Sequence, residues 1–481
     1  MAHDHSHSTP DLLVSKPSPQ TEKALAECES SLSWSLEELK RLVRIPGVSF
    51  EGFDPSNLKD SASATAEHFE RCGLSNVQTI EFGDVHPYVY AERIEDPDLP
   101  TVLLYAHHDV QPAGAEDRWS SKPFDPVERN GRLFGRGTAD DKVGILAHTA
   151  AIAAYLKTSG KLPVNVKILI EGEEETGSAH LGEFVKLYRD KLKADCMILT
   201  DCSNIDTGIP SITTSLRGIV SVDVELSALP APVHSGFWGG VVPDPAIALA
   251  QVLGRLTDES GKILVPGILE DVRPLSAEEI AEFSTLDLEK IVRVGTGLPE
   301  HLPLRGSAAD LGRKLWREPS LSVLAFESGS RKMVANIIQA GAWARVSIRI
   351  VPDMTAAKSQ AQLADFLQKQ CPRGFEIKIT PDAAADWWTV QNLADPVYSI
   401  AARSLEKGYG QKTRFVGCGA SIPFVQPLSR ELGGIPAVLL GVEDPYSNPH
   451  SDNESLHLGD FKKILMSQVH MLGELARYRR A

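Results

Sequence analysis

Imidazole and carboxylate side chains, which can bind metal ions or move protons, follow three apolar runs of this sequence. His107 and Asp109 end the run TVLLYAHHD, the glutamates at 173–175 follow VNVKILI, and Asp201 follows CMILT. Alternate residues of a strand point to the same side, so His107 and Asp109 can act together while His108 faces away. The Asp109 carboxylate can then accept the second ring N–H of His107, which fixes the tautomer of a metal-binding imidazole. A polar strand end without a function is the alternative for so short a motif.

Two further groups of carboxylates lie in short segments rich in small residues. Asp140 and Asp141 occur in GRGTADDK, where one carboxylate of the pair can bridge two metal ions. The alternative is a helix N-terminus, where acidic residues are favourable in any case. The consecutive glutamates of EGEEETGS repel one another unless cations neutralise them or water solvates them in a loop. A carboxylate beside a metal ion, but not bonded to it, can take a proton from water and later give it to a leaving amine.

His450 lies near the C-terminus in NPHSDNE, a turn-rich loop that follows a predicted strand. A lone histidine is more often a surface residue, and a lone aspartate such as Asp201 is more often a cap or turn residue. Together, however, two imidazoles and several carboxylates form the mixed nitrogen and oxygen donor set that suits zinc, manganese or cobalt. The combination therefore predicts a metal site.

The elements that must position these groups alternate between buried strands and helices. Ligands of open α/β sheets lie beyond the carboxyl ends of the strands, and three apolar strands here each end in acidic or histidine residues. This arrangement predicts one shared site. The predicted strands are 101–107, 164–170, 196–200 and 436–440, with a hairpin in NGRLFGRG, and the predicted helices are 22–44, 144–156, 397–406 and a terminal helix from 459.

The middle of the chain has a different pattern. GIVSVDVELSA and ARVSIRIVPDM alternate apolar and polar residues, which is typical of half-exposed strands of an antiparallel sheet. The 481 residues also exceed the roughly 250 to 300 that a single core accommodates. We therefore predict an α/β metal-binding domain from residues 21–212 and 393–481, with a mainly parallel central sheet flanked by helices. An α+β domain with an antiparallel sheet, residues 213–392, is inserted into it.

Composition narrows the functional classes. The 49 Lys and Arg against 64 Asp and Glu give a net charge of -15, which would repel nucleic acid and an anionic membrane surface. We expect a cytoplasmic protein, because no apolar run approaches the roughly 20 residues that span a bilayer and the N-terminus lacks the order of a signal peptide. The six cysteines have no CxxC spacing, which is typical of reduced, mostly buried thiols. Residues 1–20, in which His3, His5 and His7 could bind a metal, are predicted to be a disordered tail.

Seven motifs make the chain resemble the M20 metallopeptidases, and within them the carnosinase-like cytosolic dipeptidases. The motifs occur in the order of that family, from about residue 22 onward. They are YAHHDVQPA, FGRGTADDKVG, EGEEETGS, PVHSGFWGG, SIRIVPDM, CGASIP and PHSDNE. The resemblance implies a zinc-peptidase-like catalytic domain, an inserted lid that also forms a homodimer interface, and two divalent metal ions per subunit, zinc before manganese or cobalt.

The resemblance also implies a role for each residue of the predicted metal site. It implies that Asp140 bridges the two metal ions, that His107 and Asp201 complete one site, that Glu175 and His450 complete the other, that Glu174 is the general base and acid, and that Asp109 orients His107. A cis peptide bond between Asp140 and Asp141 is implied as well.

Other implied roles concern the substrate. The resemblance implies that His234 reaches the active site of the partner subunit, where it would stabilise the oxyanion of the tetrahedral intermediate. Arg349 would bind the substrate carboxylate, and Gly419 and Ser421 would belong to a loop that closes over it. The family loop often reads GGSIP, whereas Ala420 stands here in place of the second glycine, which puts substrate specificity in doubt at that point.

The chain is thus expected to hydrolyse the peptide bond of dipeptides. The nearest rival is an amidohydrolase of the same family that acts on N-acyl amino acids or N-succinyl-diaminopimelate, because fold and metals do not determine the acyl group. A second rival is a non-catalytic binding protein on the same fold. It predicts damage at the metal ligands or the base, and the sequence shows none.

Overall fold

The N-terminal region consists of two helices where the sequence predicted one. The structure is a computed structural model that describes residues 16–83, 85–422 and 424–479. Most of the predicted tail, with His3, His5 and His7, therefore lies outside the described residues. The single helix predicted at 22–44 is wrong in one respect, because Ser31 separates two helices. Its hydroxyl donates to a Glu27 carboxylate oxygen at 2.7 Å, a local bond of the kind that lets serine compete with helix propagation.

Helices lie throughout the chain. They are α1 (Pro19–Ser30), α2 (Leu32–Val43), α3 (Ser56–Arg71), α4 (Lys142–Ser159), α5 (Leu181–Leu187), α6 (Arg189–Leu192), α7 (Ser235–Trp238), α8 (Pro245–Leu253), α9 (Ala277–Phe283), α10 (Leu288–Thr296), α11 (Leu311–Trp316), α12 (Ala356–Lys369), α13 (Pro396–Tyr409), α14 (Val425–Glu431) and α15 (Leu458–Leu475). Among the described residues, none of these helices has the length and apolar character needed to cross a bilayer.

Strands from both ends of the chain build the main sheet, and strands from its middle build a second one. They are β1 (Ser75–Ile80), β2 (Tyr88–Arg93), β3 (Thr101–His107), β4 (Val127–Arg129), β5 (Arg132–Phe134), β6 (Asn165–Glu171), β7 (Cys196–Ser203), β8 (Ser211–Leu216), β9 (Gly218–Ser227), β10 (Val233–His234), β11 (Ser320–Glu327), β12 (Ile337–Ile338), β13 (Gly341–Ile350), β14 (Glu376–Ala385), β15 (Trp388–Thr389), β16 (Arg414–Cys418), β17 (Ala437–Glu443) and β18 (Ser455–His457). The predicted core strands and the hairpin, now β4 and β5, are confirmed with small displacements at their ends.

The main sheet is parallel at its centre and antiparallel towards its edges. Its strand order is β1-β2-β6-β3-β7-β17-β8-β15, with β16 beside β8. The four central strands β6, β3, β7 and β17 pair in parallel, so their carboxyl ends meet at one edge. The predicted α/β class, with a mainly parallel central sheet flanked by helices, is confirmed.

Alternate residues of β3 show why this strand is a core strand. Val102, Leu104 and Ala106 pack into the core that also holds buried residues of α1, α4, α13 and α15. Leu103 and Tyr105 pack on the opposite face, with buried residues of α5 and α14. Both faces are thus covered, which explains why the strand is apolar without alternation. Its burial holds the strand end, and the residues that follow it, in one position.

The second sheet is antiparallel and has the order β11-β13-β9-β14. The inward residues of β9, such as Val222 and Val224, are buried with residues of α8 and α12, while β11 is an edge strand. The alternation of the sequence therefore corresponds to one covered face. The chain leaves the main sheet after Leu216 and returns at Trp388, so the main sheet extends beyond the boundaries predicted at 212/213 and 392/393.

Candidate metal centre

His107 is the last residue of β3, and both of its ring nitrogens have oxygen partners. The ring is fully buried. Nε2 lies 3.1 Å from Oδ1 of Asp140 and 3.8 Å from Oδ1 of Asp201. Asp201 lies within β7, which neighbours β3 and extends past the predicted end at residue 200. Three donor atoms from distant segments thus face one another at the carboxyl edge of the sheet.

A second group of donors shares Asp140. Oδ2 of Asp140 lies 3.0 Å from Nε2 of His450, which in turn lies 3.3 Å from Oε2 of Glu175. Within each group the potential ligand atoms all lie within 4.8 Å of one another. His450 comes from the predicted loop and has a positive φ of 58°. We call these five residues, His107, Asp140, Glu175, Asp201 and His450, the metal-ligand cluster.

Glu454 holds the turn that carries Asp140. One of its carboxylate oxygens accepts the backbone N–H groups of Ala139 and Asp140, and the other accepts that of Gly137 and a bond from the Arg136 guanidinium. Glu454 is fully buried. This role of the glutamate in the motif PHSDNE was not predicted from the sequence. The sequence did contain an indication, because Glu454 lies in the same short motif as the predicted ligand His450. A carboxylate there can accept the backbone N–H groups of the glycine-rich turn before Asp140.

The segment after Asp140 begins α4. The peptide bond between Asp140 and Asp141 is cis, as the family resemblance implied. The Asp141 side chain accepts the backbone N–H of Gly144 and caps the helix. Asp141 thus takes the predicted cap position, while the Asp140 carboxylate lies in both groups of candidate donors.

Asp109 connects the end of β3 to the acidic loop that carries Glu174 and Glu175. Nδ1 of His107 donates to the backbone carbonyl of Asp109 at 3.1 Å, while the nearer carboxylate oxygen of Asp109 is at 3.4 Å. The same carboxylate accepts the backbone N–H groups of Glu174 and Glu175 at 3.2 and 3.1 Å. Asp109 thus ties the end of β3 to the acidic loop, in addition to facing the imidazole.

Gln111 orients Glu175 and was not anticipated from the sequence. Its backbone N–H and its side-chain amide donate to the two oxygens of the Glu175 carboxylate at 3.0 and 2.7 Å. A glutamine in a loop carries no recognisable signal by itself. Its role follows only from the tertiary approach of the loop after β3 to the loop after β6.

The electrostatics of these carboxylates point to cations. Burial, and then the charge of Asp201, raise the pKa of Glu174 well above its ordinary value. Burial, and then Asp140, do the same for the pKa of Glu175, and burial raises the pKa of Asp201. Among the described residues, no lysine or arginine forms an ion pair with the carboxylates of Asp140, Glu174, Glu175 or Asp201. The clustered oxygen and nitrogen donors, of which only His450 is exposed, therefore fit two divalent cations, which would offset the repulsion.

His234 lies in the segment inserted between β8 and β15, and among the described residues no hydrogen bond or ion pair joins it to the metal-ligand cluster. It ends β10, its ring is exposed, and its Nδ1 accepts the backbone N–H of Gly236. The ring centroid lies 4.7 Å from that of Phe237. The described residues of one chain therefore do not bring His234 to the cluster.

Arg349, Ser421 and Gly419 do come together, and Arg217 joins them. Nη1 of Arg349 donates to Oγ of Ser421 at 2.7 Å, and Nε of Arg217 donates to the carbonyl of Gly419 at 2.9 Å. Burial, and then the charge of Arg349, lower the pKa of Arg217 to about 10. Among the described residues, neither guanidinium has a carboxylate partner. We call Arg217 and Arg349 the arginine pair; the sequence analysis missed Arg217, which lies where the chain passes from β8 to β9.

Comparison with known proteins now identifies the family. Residues 103–474 match the sequence profile of Peptidase family M20/M25/M40. The chain belongs to this family. It is 30% identical to the Cys-Gly metallodipeptidase DUG1 of Saccharomyces cerevisiae over 446 residues, which are 88% of this chain and 91% of that protein. It is 31% identical to the Beta-Ala-His dipeptidase of Homo sapiens over 379 residues, covering 78% of this chain and 74% of that protein.

The M20 fold extends over nearly the whole chain. The crystal structure of human carnosine dipeptidase 1 superposes with a TM-score of 0.84 at 28% sequence identity, covering 96% of this chain and 100% of the other. The predicted family is therefore confirmed, and with it the prediction that the chain is an enzyme of the peptidase class. The M20 family also uses divalent metals, in agreement with the two groups of donors.

Proposed function

We propose that this M20 peptidase hydrolyses dipeptides with two divalent metal ions held by the metal-ligand cluster. The observation that carries the proposal is the pair of donor groups that share Asp140, with Glu174, which forms no ion pair among the described residues, close to them. The names of the relatives from yeast and human support a dipeptide substrate. When bound, the metal ions supply a polarised water and a polarised substrate carbonyl near neutral pH. Zinc suits the donor set best, and manganese or cobalt would also fit.

Glu174 is the proposed proton carrier. It lies between Glu173 and the proposed ligand Glu175, and its backbone N–H is held by Asp109. Its buried carboxylate binds a proton more readily than an exposed glutamate does, because burial disfavours its charged form. The carboxylate takes a proton from the attacking water and then gives it to the nitrogen of the leaving amine.

The arginine pair is the proposed anchor for the substrate's C-terminal carboxylate. Arg349 donates to Ser421 and Arg217 donates to the Gly419 carbonyl, and no carboxylate of the described residues neutralises the two guanidiniums. A planar guanidinium binds a carboxylate through charge-assisted hydrogen bonds that fix its position. An anchor at one end favours a short substrate, because it places a single peptide bond at the metal centre.

A homodimer through the second sheet is also proposed. The edge strand β11 is exposed along most of its length, and apolar residues are exposed on it and near α7. These residues are Val323, Leu324, Phe326, Phe237, Trp238, Met333 and Val334. An exposed apolar edge strand is a surface that proteins normally cover, and a second copy of the chain would cover it. His234 of the partner subunit would then be the proposed donor to the oxyanion of the reaction.

A cytoplasmic location remains part of the proposal. All six cysteines are free in the structure, and Cys28, Cys72, Cys196 and Cys202 are buried. Burial raises the pKa of Cys28 and of Cys72 to about 12. Unreactive, unpaired thiols suit a reducing compartment.

A substrate panel combined with metal analysis tests the function. We expect purified enzyme to contain zinc or manganese, to lose activity with a chelator, and to cleave dipeptides such as Cys-Gly but not their N-acetylated forms. Cleavage of only the acylated substrates would replace the proposal by the amidohydrolase alternative. Intact protein with no bound transition metal and no response to added zinc or manganese would refute the metal centre.

A further inference from the structure

A cavity of about 280 Å³ lies between the segment that leads into α1 and the helices α13 and α15, and the proposed reaction does not use it. Its walls come from the start of α1, from α13 and from the end of α15. Four cationic side chains line it, and Glu474 is the one carboxylate among its lining residues. The cationic residues are Lys16, Arg403, Lys407 and Arg477. We call it the basic cavity.

The charge of this cavity is opposite to that of the whole chain. Nη2 of Arg403 lies 3.1 Å from a Glu474 oxygen, and Lys407 donates to the other oxygen of the same carboxylate. Glu474 is therefore already shared by two cations. Lys16 and Arg477 are exposed and form no ion pair among the described residues. A surplus of positive charge at one place on a chain of net charge -15 attracts anions.

His470 supplies an independent indication of a ligand. It lines the cavity, its side chain is nine-tenths buried, with 9% exposure, and it has no hydrogen-bond partner among the described residues. Its ring nitrogens are not sealed from solvent, so an anion that enters the cavity can hydrogen-bond to the ring. Burial, and then Lys407, lower the pKa of His470 to about 4, so the ring faces the cavity as a neutral donor and acceptor.

We propose that the basic cavity binds a small multivalent oxyanion of the phosphate class. Its volume lies below the roughly 300–1,000 Å³ of sites for drug-sized molecules, which favours a small anion over a nucleotide. Four cations with one shared carboxylate favour a multivalent anion over a single carboxylate. Phosphate oxygens would accept charge-assisted bonds from Lys16 and Arg477 and a bond from the His470 ring.

The consequence is a bridge between distant parts of the chain. Lys16 precedes α1, whereas Arg403 and Arg477 come from the last part of the chain. An anion that contacts all three would hold the N-terminal helix against α13 and α15. Because it binds only the folded arrangement, it would raise the free energy of unfolding with concentration.

Inorganic phosphate added to the metal-loaded full chain tests the proposal. Thermal unfolding is followed against phosphate concentration, with sodium chloride holding the ionic strength constant. The test variant is Lys16→Gln with Arg477→Gln. The control variant is Lys59→Gln with Lys369→Gln, which removes the same charge from exposed lysines on α3 and α12. We expect wild type and control to be stabilised alike and the test variant to bind phosphate at least roughly tenfold more weakly.

A second readout reports on the cavity itself. The histidine ring resonance that disappears in His470→Gln should move with phosphate in wild type and not in the test variant. The proposal is overturned if phosphate stabilises wild type no more than chloride does. It is overturned equally if the test variant binds phosphate as tightly as the control, because phosphate would then sit at the metal centre or elsewhere.

Discussion

The metal-ligand cluster and the arginine pair hold buried charge in opposite ways. In the cluster, buried carboxylates face one another, and the two imidazoles are their only ion-pair partners among the described residues. In the arginine pair, two partly buried guanidiniums repel one another, and no carboxylate of the described residues neutralises them. Elsewhere in the chain buried charges do pair, as Arg136 does with Glu454 at 2.6 Å.

The difference teaches what each region lacks. A buried charge is costly unless a partner is supplied, so an uncompensated cluster indicates a ligand of the opposite sign. For the carboxylates the proposed partners are metal ions that stay with the enzyme. For the guanidiniums the proposed partner is the substrate carboxylate, which comes and goes. Replacing single residues of either region tests whether these partners bind there.

The largest effect is expected from Asp140→Ala. Asp140 belongs to both donor groups, so its loss removes a ligand from each. We expect kcat/KM to fall by at least roughly 10³-fold and bound metal to fall with it. Metal content by mass spectrometry and dipeptide hydrolysis measure the two losses. Asp452→Asn, in the same loop as His450 and paired at 3.6 Å with the exposed Arg118, is the matched control. Full metal content in Asp140→Ala would show that the cluster is not the metal site.

Glu174→Gln separates proton transfer from metal binding. The amide keeps the shape of the side chain but cannot accept a proton, so kcat should fall by roughly 10²- to 10⁴-fold while metal content stays unchanged. Rates of dipeptide hydrolysis and metal analysis of the same samples provide the check. Glu183→Gln, at an exposed position of α5, should behave as wild type. Retained turnover in Glu174→Gln would exclude this residue as the base.

Arg349→Gln and Arg217→Gln test whether the arginine pair binds the substrate carboxylate. Each variant should raise KM for a dipeptide by roughly 10- to 100-fold, because one charge-assisted contact to the substrate carboxylate is lost. For a dipeptide amide, which has no such carboxylate, the KM of each variant should differ little from that of wild type. Arg345→Gln is the matched control, since Arg345 lies on the same strand and pairs with Asp223 at 2.7 Å. Equal losses for the acid and the amide would show that the arginine pair only supports the loop.

Glu171→Gln is expected to have the smallest effect, a change in the pH dependence of stability. It tests whether Glu171 is protonated in the folded protein, in contrast to the carboxylates proposed to bind metal ions. Burial raises the pKa of Glu171 from 4.5 to about 8, and its partner is the Tyr105 hydroxyl. The unfolded chain loses this proton above about pH 4.5 and the folded chain keeps it to about pH 8. The glutamate therefore lowers the free energy of unfolding as the pH rises between these values.

The glutamine variant lacks this titration. Its stability relative to wild type should rise from pH 5 to pH 8, which denaturant unfolding at both values would measure. Glu92→Gln is the control, because Glu92 accepts a bond from Tyr90 at a less buried site. A constant difference between Glu171→Gln and wild type at the two pH values would show that Glu171 is already charged in the folded protein.

The positions of the proposed metal ligands could be predicted because their signals are local. His107 and Asp201 lie on apolar strands, the glutamates follow another, and parallel strands bring their ends to one edge. The two-helix N-terminus could not be read in the same way. Apolar spacing continues across Ser31, and only its hydrogen bond to Glu27 marks the break.

Supporting residues were missed because their partners are far apart in the chain. Gln111 meets Glu175 across a separation of 64 residues, and Glu454 meets the turn at Ala139 across 315. Arg217 approaches Gly419 across 202 residues. No periodicity or spacing connects such positions, since their contact depends on the strand order of the finished sheet.

By itself the sequence determined the family and the fold class and predicted the candidate donor residues, because apolar periodicity and short motifs are properties of neighbouring positions. The tertiary structure alone decided which carboxylate oxygen faces which imidazole, that Asp109 joins the two loops, and that Arg217 and Arg349 form no ion pair among the described residues. These features depend on burial and on distances between remote segments, and both arise only when the sheet and its helices have packed.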